Sequence, residues 1–196
     1  MHQQPTTGFT GLDASGRVGV EIDPDVVRPR VTIGAGWRSA VRPEGLGSAV
    51  VQAFEAATAA RFMAFASAAP QPTPTGPPPE AKVLPAGSAG VDLVRRAWSD
   101  LVEFRAGLAA LGAATRTATS SGRRVTVTVR GGNVVAIELD RAWPDAVGDA
   151  DLERHLTEGL RAALALIAST PQQALDGCPY LLALLTIAPA AANSGR

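Results

Sequence analysis

The chain has 196 residues, room for one domain or two small ones, and its apolar fraction of 46% is ordinary for a globular core, which argues against disorder throughout. Eighteen basic residues face eighteen acidic ones, so the global positive charge that marks many nucleic-acid binders is missing. Cys178 is the only cysteine and His2 and His155 lie far apart, which rules out an intrachain disulfide framework and a zinc cage and fits a reducing cytosol. Residues 1–13 have neither a basic start nor an apolar run, and the most apolar stretch, 180–188, is too short to span a bilayer. The expectation is a cytoplasmic protein with no membrane partner, no metal and no cofactor.

In chain order, residues 12–14, 17–22 and 30–33 read as a three-stranded antiparallel meander. Pro43 fits a first helical position, and Leu46, Val50, Phe54, Phe62 and Phe65 at helical spacing supply the expected buried face of the helix that follows. Residues 70–90 hold the run GPPP and four further prolines, which can neither continue a helix nor form a central strand, so they read as an extended linker. After it, Val91, Val94, Trp98, Leu101 and Leu108 follow the three-four spacing of an amphipathic helix ending near Gly112.

Threonine-rich 115–119, alternating 123–129 and 134–139 predict a second meander, whose last two strands join through Gly131-Gly132, a pair suited to the positive φ of a tight hairpin. Asp149 offers an N-cap, and Leu152, Leu156, Leu160, Leu164 and Ile167 form one apolar face of a helix that stops at Pro171. A short apolar helix, 180–187, and a frayed tail close the chain. The expected organisation is therefore 1–69, a linker at 70–90, a second half at 91–171, and an apolar segment with tail at 172–196.

The two halves share a pattern. Residues 30–69 align without a gap on 136–175, an offset of 106, which matches Trp37 with Trp143, Leu46 with Leu152, and Ala56, Ala57 and Ala59 with Ala162, Ala163 and Ala165. Upstream, Ser15-Gly16-Arg17 recurs as Ser121-Gly122-Arg123, and Val18, Val20 and Ile22 recur as Val125, Val127 and Val129, with Arg124 read as one extra residue of the second half. A copied unit of this size predicts one supersecondary element packed against itself. The fold class expected is α+β, two antiparallel meander-plus-helix units forming an internal pseudo-dimer. Two linked halves can pack on each other within one chain, and a predominantly monomeric protein is expected.

The order helix, meander, helix, with TATSSGRRVTVTVRGGNVVAIELD at 117–140 and an alanine-rich helix after it, resembles the YbaB/EbfC family of bacterial nucleoid-associated proteins. The match covers roughly 91–170, and the first half matches more weakly because it lacks the leading helix. The resemblance implies a small cytoplasmic, nucleoid-associated protein that contacts double-stranded DNA with little sequence preference. Some actinobacterial relatives with similar hairpins look like accessory proteins of type VII (ESX) secretion, which makes a protein-interaction module, as accessory or chaperone, the alternative function. Family members carry a lysine-rich leading helix, whereas 91–111 sets Arg95, Arg96 and Arg105 against Asp92, Asp100 and Glu103.

For DNA, the candidate contacts are Arg116, Arg123, Arg124 and Arg130, with no acidic residue between Glu103 and Glu138. Four phosphate contacts give a log-log salt slope of about 3.6, enough for weak duplex binding. The bland reading is a solvated sheet edge whose charges prevent strand-to-strand aggregation. For a protein partner the candidates are Trp98 and Leu101, on the one helix that the first half does not repeat; cover by 180–187 is the expected alternative to a partner. Trp37 and Trp143 read as core plugs between sheet and helix. His155 reads as an exposed helical histidine and Cys178 as a buried thiol. No nucleophile pairs with a base in a recognisable motif, so no catalytic residue is expected and the chain reads as a non-enzyme.

Overall fold

A computed structural model describes residues 8–24, 28–68, 88–141 and 143–187. Most of the proline-rich 70–90 therefore lies outside the described residues, as do 1–7 and the tail from 188. In chain order the elements are strands β1 (Phe9–Leu12), β2 (Val18–Ile22) and β3 (Arg30–Ile33), helix α1 (Trp37–Ala40) and helix α2 (Leu46–Ala68). Helix α3 (Ser88–Ala113) follows, then strands β4 (Arg116–Thr119), β5 (Val125–Arg130) and β6 (Asn133–Leu139). The chain ends in helices α4 (Trp143–Ala146), α5 (Asp149–Ala168), α6 (Thr170–Leu175) and α7 (Pro179–Ile187).

The chain is mixed α+β and divides into two compact units, one of residues 1–69 with 114–168, the other of 70–113 with 169–196. Helix α3 thus groups with the C-terminal helices, not with the sheet that follows it.

The first unit holds both sheets, each three-stranded and antiparallel, in the orders β1-β2-β3 and β4-β5-β6. Alternation sets their faces: Val18, Val20 and Ile22 on β2 and Val125, Val127 and Val129 on β5 point into one continuous core, while Thr126 and Thr128 are only partly covered. Helix α2 covers β1 and β2 and crosses onto β6, and α5 covers β4 and β5 and crosses onto β3. Leu46, Val50 and Phe54 are buried as the spacing predicts. Phe62 and Phe65 are not, at 70% and 50% exposed, because the last turns of α2 run past the sheet; Phe65 meets the Phe9 ring at 6.2 Å and the Arg61 guanidinium lies over it at 4.9 Å.

Two details of register differ from the sequence reading. The first strand occupies Phe9–Leu12, and Asp13 and Ala14 belong to the turn. The Asp13 carboxylate organises that turn, accepting from the N–H groups of Ser15, Arg17 and Val18 and from the Ser15 hydroxyl. In the second sheet Ser120 takes the same place, its Oγ accepting from Val125 N–H at 3.1 Å. Both turns have five residues, so the second is not longer by one at Arg124, and the fourth residue of each has a positive φ, Gly16 at 67° and Arg123 at 55°. A non-glycine residue at that angle is strained, whereas Gly131 and Gly132 supply the positive φ of the β5–β6 hairpin without cost.

The second unit is helical: α6 and α7 pack against α3. Helix α5 ends at Ala168, and Pro171 sits in the first turn of the separate helix α6.

Candidate interaction surfaces

The four arginines do not form one patch. Register places Arg116 opposite Val129, so Arg116 and Arg130 share the hairpin end of their sheet. Arg123 and Arg124 lie in the β4–β5 turn at the other end, the length of β5 away, about 20 Å at the rise of a strand. Carboxylates also stand beside the second pair. Arg124 donates to Asp140 at 2.6 Å, and Glu158 accepts from the Ser121 hydroxyl at 2.6 Å and from its N–H at 3.3 Å. The Ser121 hydroxyl holds Glu158 below the usual carboxylate range, and His155 and Arg154 push the same way, so it stays charged where a phosphate would have to approach. Nearness in sequence along a strand and its turns misled here, because a strand separates its two ends.

Helix α3 carries the other candidate surface, on a face different from the predicted one. The covered positions are Gly90, Ala97 and Asp100, with Leu93, Leu101, Phe104 and Leu108 half-buried, whereas Trp98 is 67% exposed and Val91 and Val102 about as much. The expectation that 180–187 covers the Trp98 stripe is thus corrected: α7 packs on the neighbouring face and reaches the Leu101 side only. The cause is Asp100. Its buried carboxylate accepts from the N–H groups of Tyr180 (2.7 Å) and Leu181 (3.0 Å), capping α7 at the positive end of its dipole. Arg96 adds a hydrogen bond to the Tyr180 hydroxyl at 2.7 Å and lies over its ring. With Asp100 fixed there, Val91, Val94, Trp98 and Val102 turn outward.

Cys178 is buried beside this contact, its Sγ 3.3 Å from the Asp100 carbonyl oxygen. Burial, with the nearby Asp100 and Glu103, pushes its thiol pKa up, the opposite of an activated nucleophile.

Trp37 and Trp143 are buried at 1% and 9% exposure. Trp37 donates its indole N–H to Asp149 at 2.9 Å, so Asp149, read from sequence as an N-cap, bonds across to the first sheet's tryptophan instead. His155 is corrected as well: its ring packs edge-on against Trp143, centroids 5.1 Å apart, and is largely covered. Two open clefts flank the helix crossings, about 640 Å³ beside β3 and α5 and about 800 Å³ beside β6 and the start of α2. In the first, Arg28, Arg30 and Arg161 are balanced by Glu21, Asp23 and Glu153, with Glu153 already bonded to the Ile33 N–H.

No family model, curated protein or solved structure matches the chain. No described helix is long and apolar enough to cross a membrane.

Proposed function

We propose that the chain is a non-enzymatic protein-interaction module, whose first unit is an internal pseudo-dimer of two meander-plus-helix halves and whose second unit offers α3 as a docking face. The observation that carries the docking reading is the exposed row Val91, Val94, Trp98 and Val102. Asp100, by capping α7, fixes the orientation of α3 that leaves this row outward, and a contiguous exposed apolar row marks an interaction surface. Supporting the pseudo-dimer are the identical strand orders and the exchange of helices between sheets. One close approach in each half adds to them. Gly11 on β1 lies against the backbone of Ala53 and Ala57 of α2, and Gly159 on α5 lies against Val125 and Val127 of β5, so each helix meets its own sheet through one glycine, on the strand in the first half and on the helix in the second. The likeness to the YbaB/EbfC family belongs to the same proposal.

A photoreactive phenylalanine analogue at position 102 tests the docking face, with the same residue at Ser39 as control. Cross-linking in cells specific to 102 is expected; none at 102, or equal yields at both sites, overturns the reading.

The nucleoid-associated reading, weak and low-specificity duplex binding, is favoured by Arg116 and Arg130 at one sheet end. It predicts a mobility shift at low salt that is lost near physiological ionic strength, since few phosphate contacts compete poorly with counterions. Arg123→Gly sharpens it, because that change removes a cation while relieving the turn. Tight binding that survives both salt and Arg116→Ala with Arg130→Ala would show that these arginines are the wrong site.

A further inference from the structure

The stripe on α3 has a polar border whose charges say which occupant fits it. Asp92, Arg95, Ser99 and Glu103 follow one another at three-four-four spacing, so they run as a single row along one side of the apolar stripe. Arg95 and Asp92 already form an exposed pair at 3.3 Å, and Glu103 stands exposed further along the row. When two helices pack side by side in antiparallel fashion, the same border of each faces the other in reverse order. Centred on Ser99, that reversal sets Arg95 against Glu103 of a second copy, and Glu103 against its Arg95. The apolar row reverses onto itself about Trp98, which sets Val94 against Val102, and that centre lies one residue, about 1.5 Å, from Ser99. Parallel pairing would instead set this border against the opposite border of the second copy, so Arg95 and Glu103 would not meet across the seam.

The stripe cannot be buried by turning α3 within its own unit. Rotation would take Asp100 away from the N–H groups of Tyr180 and Leu181 and leave the end of α7 uncapped. The row from Val91 to Val102 is about 17 Å long at the rise of a helix, three turns of apolar contact doubled by the two-fold axis.

We infer that α3 pairs antiparallel with α3 of a second copy of this chain, in an isologous contact centred on Ser99 with reciprocal Arg95–Glu103 bridges. This rests on the reading of α3 as a docking face and names its occupant.

The test is sedimentation equilibrium of the full chain over a wide concentration range, with Trp98→Asp, Arg95→Glu, Glu103→Arg and the double swap. The parent is expected to reach twice the chain mass and Trp98→Asp to remain monomeric. Each single swap turns two attractive pairs repulsive and weakens the dimer roughly tenfold, and the double swap restores it, because the same two charges exchange places. Arg95 and Glu103 are exposed, so these swaps leave the fold intact, and circular dichroism checks this. A parent that stays monomeric, or a dimer indifferent to Trp98→Asp, or a double swap as weak as the singles, overturns the inference. Cross-linking at position 102 to a different protein, with the chain monomeric, overturns the second copy and leaves the docking face standing; no cross-linking and no dimer overturns both.

Discussion

Helices α2 and α5 each cross from their own sheet onto the outer edge of the other, but they close that edge with different groups. Helix α5 uses side chains: Thr157 Oγ1 accepts from the Val31 N–H at 3.0 Å and a Glu153 carboxylate oxygen from the Ile33 N–H at 2.7 Å, so the free donors of β3 are satisfied and its edge is hidden from other strands. Helix α2 uses backbone. Gly47, at the position corresponding to Glu153, is buried so close to β6 that a Cβ there would collide with the Ile137 carbonyl oxygen. One edge is held through flexible arms and the other by direct backbone approach. The two crossings should therefore respond to substitution in opposite ways, the second steeply and the first gently. Around them Arg38 ties the halves together, donating to Asp149 at 2.7 Å and to the carbonyls of Pro144 and Val147.

The largest effect is expected at Gly47. Gly47→Ala forces α2 off β6, and even after the better helix propensity of alanine the net loss is about 2 kcal/mol, read as a lower urea midpoint by tryptophan fluorescence. Gly159→Ala, in the corresponding helix, is the contrast: its Cβ would lie 3.1 to 3.2 Å from the methyl groups of Val125 and Val127, which can shift. Its change should stay within about 1 kcal/mol. If Gly47→Ala loses no more than Glu153→Ala or Thr157→Val at the other crossing, the difference between the crossings is wrong. Next comes Arg38→Ala, with a loss of about 1 kcal/mol, because its side chain is 40% exposed and solvent screens the ion pair. Arg38→Lys should recover little of it, since an ammonium cannot span two carbonyls and a carboxylate at once. Smaller again are Glu153→Ala and Thr157→Val, about 1 kcal/mol or less each, since each removes the partner of a strand N–H that sits partly within reach of water. Thr157→Ser should be close to neutral, and a loss as large as that of Thr157→Val would show that the methyl group matters more than the hydrogen bond.

Much of the sheet-and-helix pattern was legible because it depends on local periodicity. The valine alternation of β5, the Gly131-Gly132 turn and the leucines of α5 each need only near neighbours to be read. What failed were faces set by distant partners. Phe62 and Phe65 keep the helical spacing of Leu46 and Val50, yet nothing in the periodicity marks where the sheet beneath α2 ends. The covered face of α3 was misjudged because Asp100, a charged residue at an apparent border position, is buried by capping a helix eighty residues away. His155 was likewise covered by a tryptophan that precedes it by one connection. The arginine candidates were near in sequence, but strand pairing sent them to opposite ends. Gly47 and Gly11 were the signals that could have been used, since a glycine inside a helix or strand often marks close backbone approach.

The smallest expected effect is the most selective, because it separates charge held within one half from charge shared by both. The Trp37 indole N–H, then the Arg38 guanidinium, hold Asp149 below the ordinary carboxylate value against a slight opposing burial. For Asp13, burial pushes up, but the Ser15 hydroxyl and the backbone N–H groups of Val18, Ser15 and Arg17 outweigh it, and all of these lie in its own turn or at the start of β2. A folded pKa below the unfolded one gives stability that is fully present above the unfolded value, about 3.9 for aspartate, and is lost as pH falls through the folded value. Acid should therefore weaken both contacts, but only Asp149 couples the halves. Asp149→Asn lowers the urea midpoint at neutral pH, and the gap from the parent narrows as pH falls below the ordinary aspartate range, where the parent loses the same charge. In an Arg38→Ala background the neutral-pH gap should shrink, because the charge has lost its partner, whereas the gap from Asp13→Asn should be unchanged by Arg38→Ala. If the Asp149→Asn gap were insensitive to both pH and Arg38, the Trp37 hydrogen bond alone would join the halves there, and the ion pair across them would contribute nothing measurable.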